Sequence, residues 1–217
     1  MSKLIDFESY PISPVLDRLL QDKTTKQNII FATDAYLENG PDFAETAQIT
    51  VDKLLGYMKI KIQPRVEKAA EEQLARTRKK AEVFTPSWIV NKMNNHCDEE
   101  WFGRPNVFNT EAGTSWVTSS APITFDRKLS WKGYVDSKRL EITCGEAPYI
   151  VSRYDAATGD IIPIKDRIGI LDRKLRVVSE NAADDTEWLK WAERALQSSY
   201  GYEFQGDNLL IARGNVL

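Results

Sequence analysis

A short apolar segment that ends in a tight turn constrains the fold of this chain more than any other sequence feature. Residues 140–143 have the composition of a buried strand, and Cys144-Gly145 follows at once. A second strand-like segment, residues 200–204, comes about sixty positions later and contains Glu203. Two strands separated by helical sequence are typical of a parallel pair joined by a crossover. We therefore expect an α/β fold in which these two strands are parallel neighbours.

The composition excludes several classes of protein. The chain has 217 residues, of which 42% are hydrophobic, and this suffices for one compact domain with a helical appendage. Two cysteines and one histidine make no disulfide framework and no histidine-based metal site. The sequence shows neither a membrane span nor a signal peptide, so we expect a cytoplasmic protein without membrane contact. The net charge of −3 is typical neither of a basic DNA-binding domain nor of a strongly acidic DNA mimic.

Residues 1–80 are predicted to form a helical N-terminal region. Helices are expected to begin near Pro14 and to cover residues 26–37, 44–57 and 65–80. The last of them ends in the basic residues Arg76, Arg78, Lys79 and Lys80. This run is either a solvated helix face or a patch that contacts nucleic-acid phosphates.

Residues 81–217 are predicted to form a partial α/β domain. Phe84-Thr85-Pro86 indicates an extended piece and a turn before a helix, and further helices are expected within 166–178, from Asp184 and from Asn208. Between them, residues 101–139 contain candidate strands at 116–118 and 123–125 and three of the six tryptophans. Such aromatic residues either cover a small core or mark a binding surface.

The turn after the first strand and the acid in the second are the parts that suggest chemistry. A glycine allows the backbone to approach a nucleotide-type cofactor closely, because no side chain intervenes. An acid at the end of a parallel strand can accept hydrogen bonds from both ribose hydroxyls of such a cofactor. Taken singly, each feature is also compatible with an ordinary turn.

The order of three motifs resembles that of S-adenosylmethionine-dependent DNA adenine methyltransferases. Residues 82–86 resemble the Phe-Thr-Pro cofactor motif of that family, and residues 141–147 are similar to its Asp-Pro-x-Cys-Gly-x-Gly motif. Residues 200–213 resemble its acidic second strand and the following helix. About two thirds of the chain, from near Arg76 onward, is similar to modification subunits of restriction systems.

The resemblance implies a fold, a cofactor and a site. The fold would be a helical N-terminal part followed by an incomplete Rossmann-like methyltransferase sheet. The cofactor would be S-adenosylmethionine, and the implied cofactor-binding residues are Phe84, Thr85, Pro86, Glu141, Cys144, Gly145 and Glu203. No residue is expected to be catalytic.

The sequence departs from this family in four places. Glu141-Ile142 replaces Asp-Pro, Ala147 replaces the second glycine, and an insertion of about residues 160–178 lengthens the gap to the acidic strand. The Asn/Asp-Pro-Pro-aromatic tetrapeptide that holds the target adenine in the family is absent, since the sequence contains no Pro-Pro pair.

Two functions follow from this combination of resemblance and departure. In the first, the chain alone is a non-catalytic methyltransferase-like module that binds or inhibits in phage–bacterium defence, of an anti-restriction or anti-CRISPR type. In the alternative, it is the cofactor-binding portion of an active methyltransferase completed by another chain or by further residues. An unpaired sheet edge and the tryptophan-rich segment favour a homodimer or a nuclease or methyltransferase complex, and DNA is a further candidate partner. The insertion could instead cover the edge and leave a monomer.

Overall fold

A computed structural model describes residues 4–80, 82–126 and 128–217 of the chain. The chain divides into two compact units, and neither is one continuous stretch of sequence. The first unit contains Met1–Val83, Thr143–Glu146 and Glu203–Leu217. The second contains Phe84–Ile142 and Ala147–Tyr202.

The described residues contain eight α-helices and four strands. The helices are α1 (Leu16–Leu20), α2 (Val51–Leu55), α3 (Ala70–Lys80), α4 (Ser87–Phe102), α5 (Trp131–Asp136), α6 (Ile170–Asn181), α7 (Asp185–Gln197) and α8 (Gly206–Val216). The strands are β1 (Asn109–Ala112), β2 (Ser115–Thr118), β3 (Arg139–Ile142) and β4 (Ser199–Tyr202). None of these helices is long and apolar enough to cross a bilayer.

The N-terminal part of the first unit is less helical than the sequence predicts. Residues 26–37 form no α-helix, and isolated bridges join Gln21 to Asn28 and Ile30 to Gln48 instead. The Asp22 carboxylate accepts hydrogen bonds from the backbone N–H groups of Thr24 and Thr25, which offers the backbone an alternative to a helix. Of the helix predicted at 44–57, only α2 forms.

A single apolar cluster holds the first unit together. It combines side chains from the irregular N-terminal segment with Leu210 and Ile211 of α8, both fully buried. The other buried members are Ile5, Phe7, Ile12, Leu16, Leu20, Ile29, Phe31, Tyr36, Phe43, Ile49, Leu54, Ile60 and Ile62. Helix α8 is therefore an essential part of this core, although it lies at the far end of the sequence.

The second unit contains the parallel pair that the sequence predicts. Strands β3 and β4 pair in parallel, with Leu140 opposite Tyr200 and Ile142 opposite Tyr202. Strands β1 and β2 form a separate antiparallel hairpin. The prediction of a mixed helix-and-sheet fold is confirmed, whereas two sheets of two strands each do not establish a Rossmann-like sheet. The candidate strand at 123–125 does not form.

Aromatic side chains build much of the core of the second unit. Trp101 contacts Phe102 and Tyr134 with ring centroids 4.7 and 5.1 Å apart, and Trp131 packs edge-on against Trp191 at 5.2 Å. Trp101, Trp116 and Trp131 are all half-buried. The tryptophan-rich segment therefore contributes to this core, while each of its three tryptophans keeps part of its surface exposed.

The predicted insertion also contributes to this core. Its C-terminal half belongs to helix α6, whose Leu171, Val177 and Val178 are buried. The apolar spacing of 166–178 in the sequence correctly indicates an amphipathic helix.

Candidate cofactor site

The turn after β3 has an unusual backbone. Thr143, Gly145 and Ala147 have φ angles of 57°, 54° and 65°, so every second residue lies in the left-handed region. Glycine adopts this region freely, but a β-branched threonine rarely does. Such strain persists only where surrounding structure imposes it, and it is concentrated at ligand sites.

The acid predicted at the end of the second strand reaches this turn. Within the first unit, the Gly145 N–H donates to Glu203 Oε2 at 2.7 Å, and the Gln205 N–H donates to Glu203 Oε1 at 2.9 Å. Gly145 and Glu203 lie three residues and one residue beyond the ends of the paired strands β3 and β4. The structure thus brings together two of the seven predicted cofactor-binding residues, both within the first unit.

A buried glutamate fixes the turn within the first unit. Glu146 is 2% exposed, and its Oε1 accepts the Arg65 N–H at 2.6 Å. The Glu146 carbonyl oxygen accepts a hydrogen bond from Asn215 Nδ2 at 3.0 Å. The sequence analysis missed Glu146 because these partners lie 81 and 69 positions away, and no local pattern indicates them.

The first turn of α8 is held by a buried ionic cluster. Asp207 is fully buried and forms ion pairs with Arg76 at 2.9 Å and Lys68 at 3.5 Å. Tyr36 Oη donates to the same carboxylate at 2.9 Å, and Glu82 pairs with Arg76 at 2.7 Å. Two buried cations therefore meet two buried acids in a cluster that is neutral overall. Its Asp207 follows Glu203 by four residues along the chain.

Electrostatics keep both acids of this cluster ionised. Burial alone would raise the pKa of Asp207, but the charges of Lys68 and Arg76 outweigh burial and lower it. Burial likewise opposes ionisation of Glu82, whose pKa is nevertheless lowered by the hydrogen bond and charge of Arg76.

The same cluster changes the interpretation of the basic run at the end of α3. Arg76 is 4% exposed and bound to acids, so it is removed from the predicted nucleic-acid patch. Arg78 and Lys79 are exposed. Lys80 is the last residue of α3, and its side chain lies outside what the structure describes.

The other predicted cofactor-binding residues lie as follows. Phe84, Thr85 and Pro86 are half-buried residues of the second unit that lead directly into α4, as the sequence predicts. Glu141 is half-buried in β3, and Cys144 in the turn is 4% exposed. The first turn of α4 is held by Asp155, whose carboxylate accepts the Ser87 N–H at 2.7 Å.

Within residues 4–80, 82–126 and 128–217, no group of three or more His, Cys, Asp or Glu side chains could hold a metal ion. No protein-family model matches the sequence, and no curated protein or solved structure shows significant similarity to it.

Proposed function

We propose that this chain is a methyltransferase-like module of the DNA restriction-modification type that binds S-adenosylmethionine at the turns after β3 and β4. The observation that carries the proposal is the hydrogen bond between the Gly145 N–H and the Glu203 carboxylate within the first unit. This arrangement presents an acid and a glycine backbone side by side, which suits the ribose of a nucleoside cofactor. The motif order along the sequence adds support.

Each residue of the site has a distinct part in this proposal. Each oxygen of a carboxylate has two lone pairs, so Glu203 can accept ribose hydroxyls while it retains the Gly145 and Gln205 N–H groups. Gly145 and Gln205 thereby hold the acid in position before the cofactor arrives. Bound S-adenosylmethionine would supply an electrophilic methyl group on its sulfonium.

The sequence contains no residues in the arrangement that activates a target adenine. Activation in the family requires an acceptor for the target amine and an aromatic ring on the flipped base. Because no Pro-Pro pair occurs here, the purified chain should bind the cofactor without methylating DNA.

Calorimetric titration with S-adenosylmethionine tests this function. Glu203→Ala should weaken binding by about 1–3 kcal/mol, the range for lost hydrogen bonds to a charged acceptor. Glu203→Gln should weaken it less, because the amide keeps one acceptor oxygen. The matched control is Glu71→Ala, which removes an exposed acid of α3 in the same unit and should leave affinity unchanged.

Three outcomes would contradict the proposal. Absence of S-adenosylmethionine binding by the unmodified chain would refute the proposed function. Equal affinities of the Glu203→Ala variant and the unmodified chain would mean that Glu203 does not bind the ribose. Transfer of a methyl group to DNA adenine by the purified chain would refute the non-catalytic assignment.

A second candidate function, self-association, is favoured by the exposed face of the β3–β4 sheet. Leu140, Ile142, Tyr200 and Tyr202 lie opposite one another in register and are 49%, 70%, 41% and 64% exposed. In a parallel pair, residues in register share one face, so these four side chains form a single apolar patch. Parallel sheets are normally covered on both faces. The patch carries no charge that would select a foreign partner, so we propose that a second copy of the chain covers it.

Light scattering at micromolar concentration tests this association. The unmodified chain should be a dimer, and Ile142→Lys should convert it to a monomer because a charge would be buried without a partner. Leu189→Lys, which changes an equally exposed apolar residue on α7, should leave the dimer intact. A monomer at all concentrations would exclude this role.

A further inference from the structure

A cavity in the second unit is lined by residues of strand β2, helix α6 and the short turn Ile164–Asp166. Its volume is about 890 Å³, which is in the range of sites for small ligands. Every residue that lines it belongs to the second unit, and none belongs to the cofactor site described above. The cavity is therefore a candidate for a separate ligand.

The charges around the cavity balance one another. Arg173 and Arg176, which line it, are each paired with an acid at 2.7 Å. The other charged lining residues, two positive and two negative, are Lys165, Arg167, Asp166 and Asp172. A cavity whose lining is neutral in this way favours a ligand without net charge, because a net charge would be removed from water without compensation.

Arg167 and Asp172 have bonding capacity that the fold leaves unused. Arg167 Nε is buried without a hydrogen-bond partner, and a buried donor in this condition is costly. The Asp172 carboxylate accepts the Ser152 and Gly169 N–H groups at 2.8 and 3.1 Å, in both cases through Oδ2. Among the described residues, no donor bonds to Asp172 Oδ1 and no ion pair joins Asp172 to Arg167.

The two groups are near enough to hold opposite ends of one small molecule. They are five positions apart, and Asp172 lies in the first turn of α6. Burial raises the pKa of Asp172, whereas the Ser152 N–H and the positive charge of Arg167 oppose that rise. The two charges therefore act on each other although no ion pair joins them.

We propose that this cavity binds a free α-amino acid in its zwitterionic form, with its carboxylate on Arg167 and its ammonium group on Asp172 Oδ1. A planar guanidinium group binds two carboxylate oxygens at once. An ionised carboxylate accepts hydrogen bonds only, and this suits an ammonium group, which only donates them. The ligand has separated charges but no net charge, as the neutral lining favours.

The apolar part of the cavity indicates the side chain of the ligand. Phe108, which is 3% exposed, and the half-buried Leu175 and Trp116 line it. The Trp116 indole N–H donates to the Asp166 carbonyl oxygen at 2.9 Å, so the ring is held in one orientation. Aromatic rings pack favourably against one another in offset or edge-to-face arrangements. L-Phenylalanine is therefore the probe.

Calorimetry with three matched ligands tests the proposal on the intact chain. L-Phenylalanine should bind. Phenethylamine lacks the carboxylate and hydrocinnamate lacks the ammonium group, so each should bind at least about tenfold more weakly. Absence of L-phenylalanine binding at millimolar concentration, or equal affinities for all three ligands, would overturn the proposal.

Two variants assign the charged ends. Arg167→Gln should weaken L-phenylalanine binding about ten- to hundredfold without weakening phenethylamine binding, because that ligand has no carboxylate. Asp172→Asn should weaken L-phenylalanine binding without weakening hydrocinnamate binding. Lys138→Gln, which removes an exposed positive charge elsewhere in the second unit, should change neither. Equal weakening of all three ligands by Arg167→Gln, or no effect of this variant, would overturn the site.

Two further measurements keep the result unambiguous. Asp172 also bonds to the backbone just before α6, so circular dichroism must show that Asp172→Asn is folded; if it unfolds, Arg167→Gln and the three ligands decide the outcome. S-Adenosylmethionine itself ends in an α-amino acid group, so Glu203→Ala is also titrated with L-phenylalanine. This variant should bind L-phenylalanine as the intact chain does, and a loss of binding would place the amino acid at the cofactor site and overturn the cavity.

Discussion

The buried ionic cluster around Asp207 in the first unit balances its charges, whereas the one around Arg173 in the second unit does not. Around Asp207, two buried cations meet two buried acids. In the second unit, the buried acid Asp98 pairs with the buried Arg173 at 2.7 Å, whereas the buried Lys174 is held by neutral oxygens. The difference shows two ways in which a small fold can accept charge in its interior.

In the second unit, neutral oxygen atoms take the place of the missing negative charge beside the buried cations. Arg173 bonds to the side-chain carbonyls of Asn91 and Asn95, both at 2.8 Å. Lys174 Nζ donates to the Ser137 carbonyl at 2.7 Å and to Ser198 Oγ at 2.7 Å. Burial, followed by the charge of Arg139, lowers the Lys174 pKa from 10.5 to about 7. Charge in this unit is therefore sensitive to pH near neutrality, while ion pairing keeps the acids of the first unit ionised.

The largest expected effect comes from breaking the balanced cluster. Asp207→Asn should lower the free energy of unfolding by about 3–5 kcal/mol, because it leaves Lys68 and Arg76 buried with a single acid. Urea denaturation measures this loss.

Two matched substitutions sharpen the result. Asp98→Asn in the second unit should cost less, about 1–3 kcal/mol, because the amides already share the Arg173 charge. Asp42→Asn, an exposed acid of the first unit, should be nearly neutral. Equal losses of unfolding free energy in Asp207→Asn and Asp98→Asn would contradict the proposed difference between the two clusters.

An effect that is smaller per pH unit is expected at Lys174. Its pKa is lower in the folded state than in the unfolded state, so between about pH 7 and pH 10 the unfolded chain holds a proton that the folded chain has lost. Stability from this group therefore increases with pH in that window, by about 1 kcal/mol per pH unit, and is constant below it.

Lys174→Met should abolish this dependence. The measurement is the difference in unfolding free energy between the unmodified chain and the variant at several pH values. Lys190→Met on the exposed side of α7 provides the control and should show no such trend. A flat difference would mean that the fold does not lower the Lys174 pKa, and a difference that falls with rising pH would mean that the fold stabilises the ammonium.

Local signals in the sequence predicted much of the second unit. A helix begins after Thr85-Pro86, and Asp184 caps α7 by accepting the Glu187 N–H at 2.8 Å. The parallel pairing of β3 and β4 followed from strand composition and the motif order. These features depend on short-range preferences or on repeated patterns, which a single sequence displays directly.

Long-range partners account for what the sequence could not predict. Arg76 appears within a basic run, and its burial depends on Asp207, 131 positions later. The helix expected at 26–37 was wrong because turns such as the one at Asp22 override the apolar spacing.

The position of α8 in the core of the first unit has a consequence for biosynthesis. Leu210 and Ile211 complete a cluster that otherwise consists of residues 5–62. On the ribosome, domains usually fold as they emerge, beginning at the N-terminus. Here residues 5–62 cannot complete their core until α8 has been synthesised, whereas the sequence of the second unit is complete once Tyr202 has been synthesised. Until α8 has emerged, residues 5–62 expose apolar side chains that have no complete core. A chaperone bound to this segment would protect it during that interval.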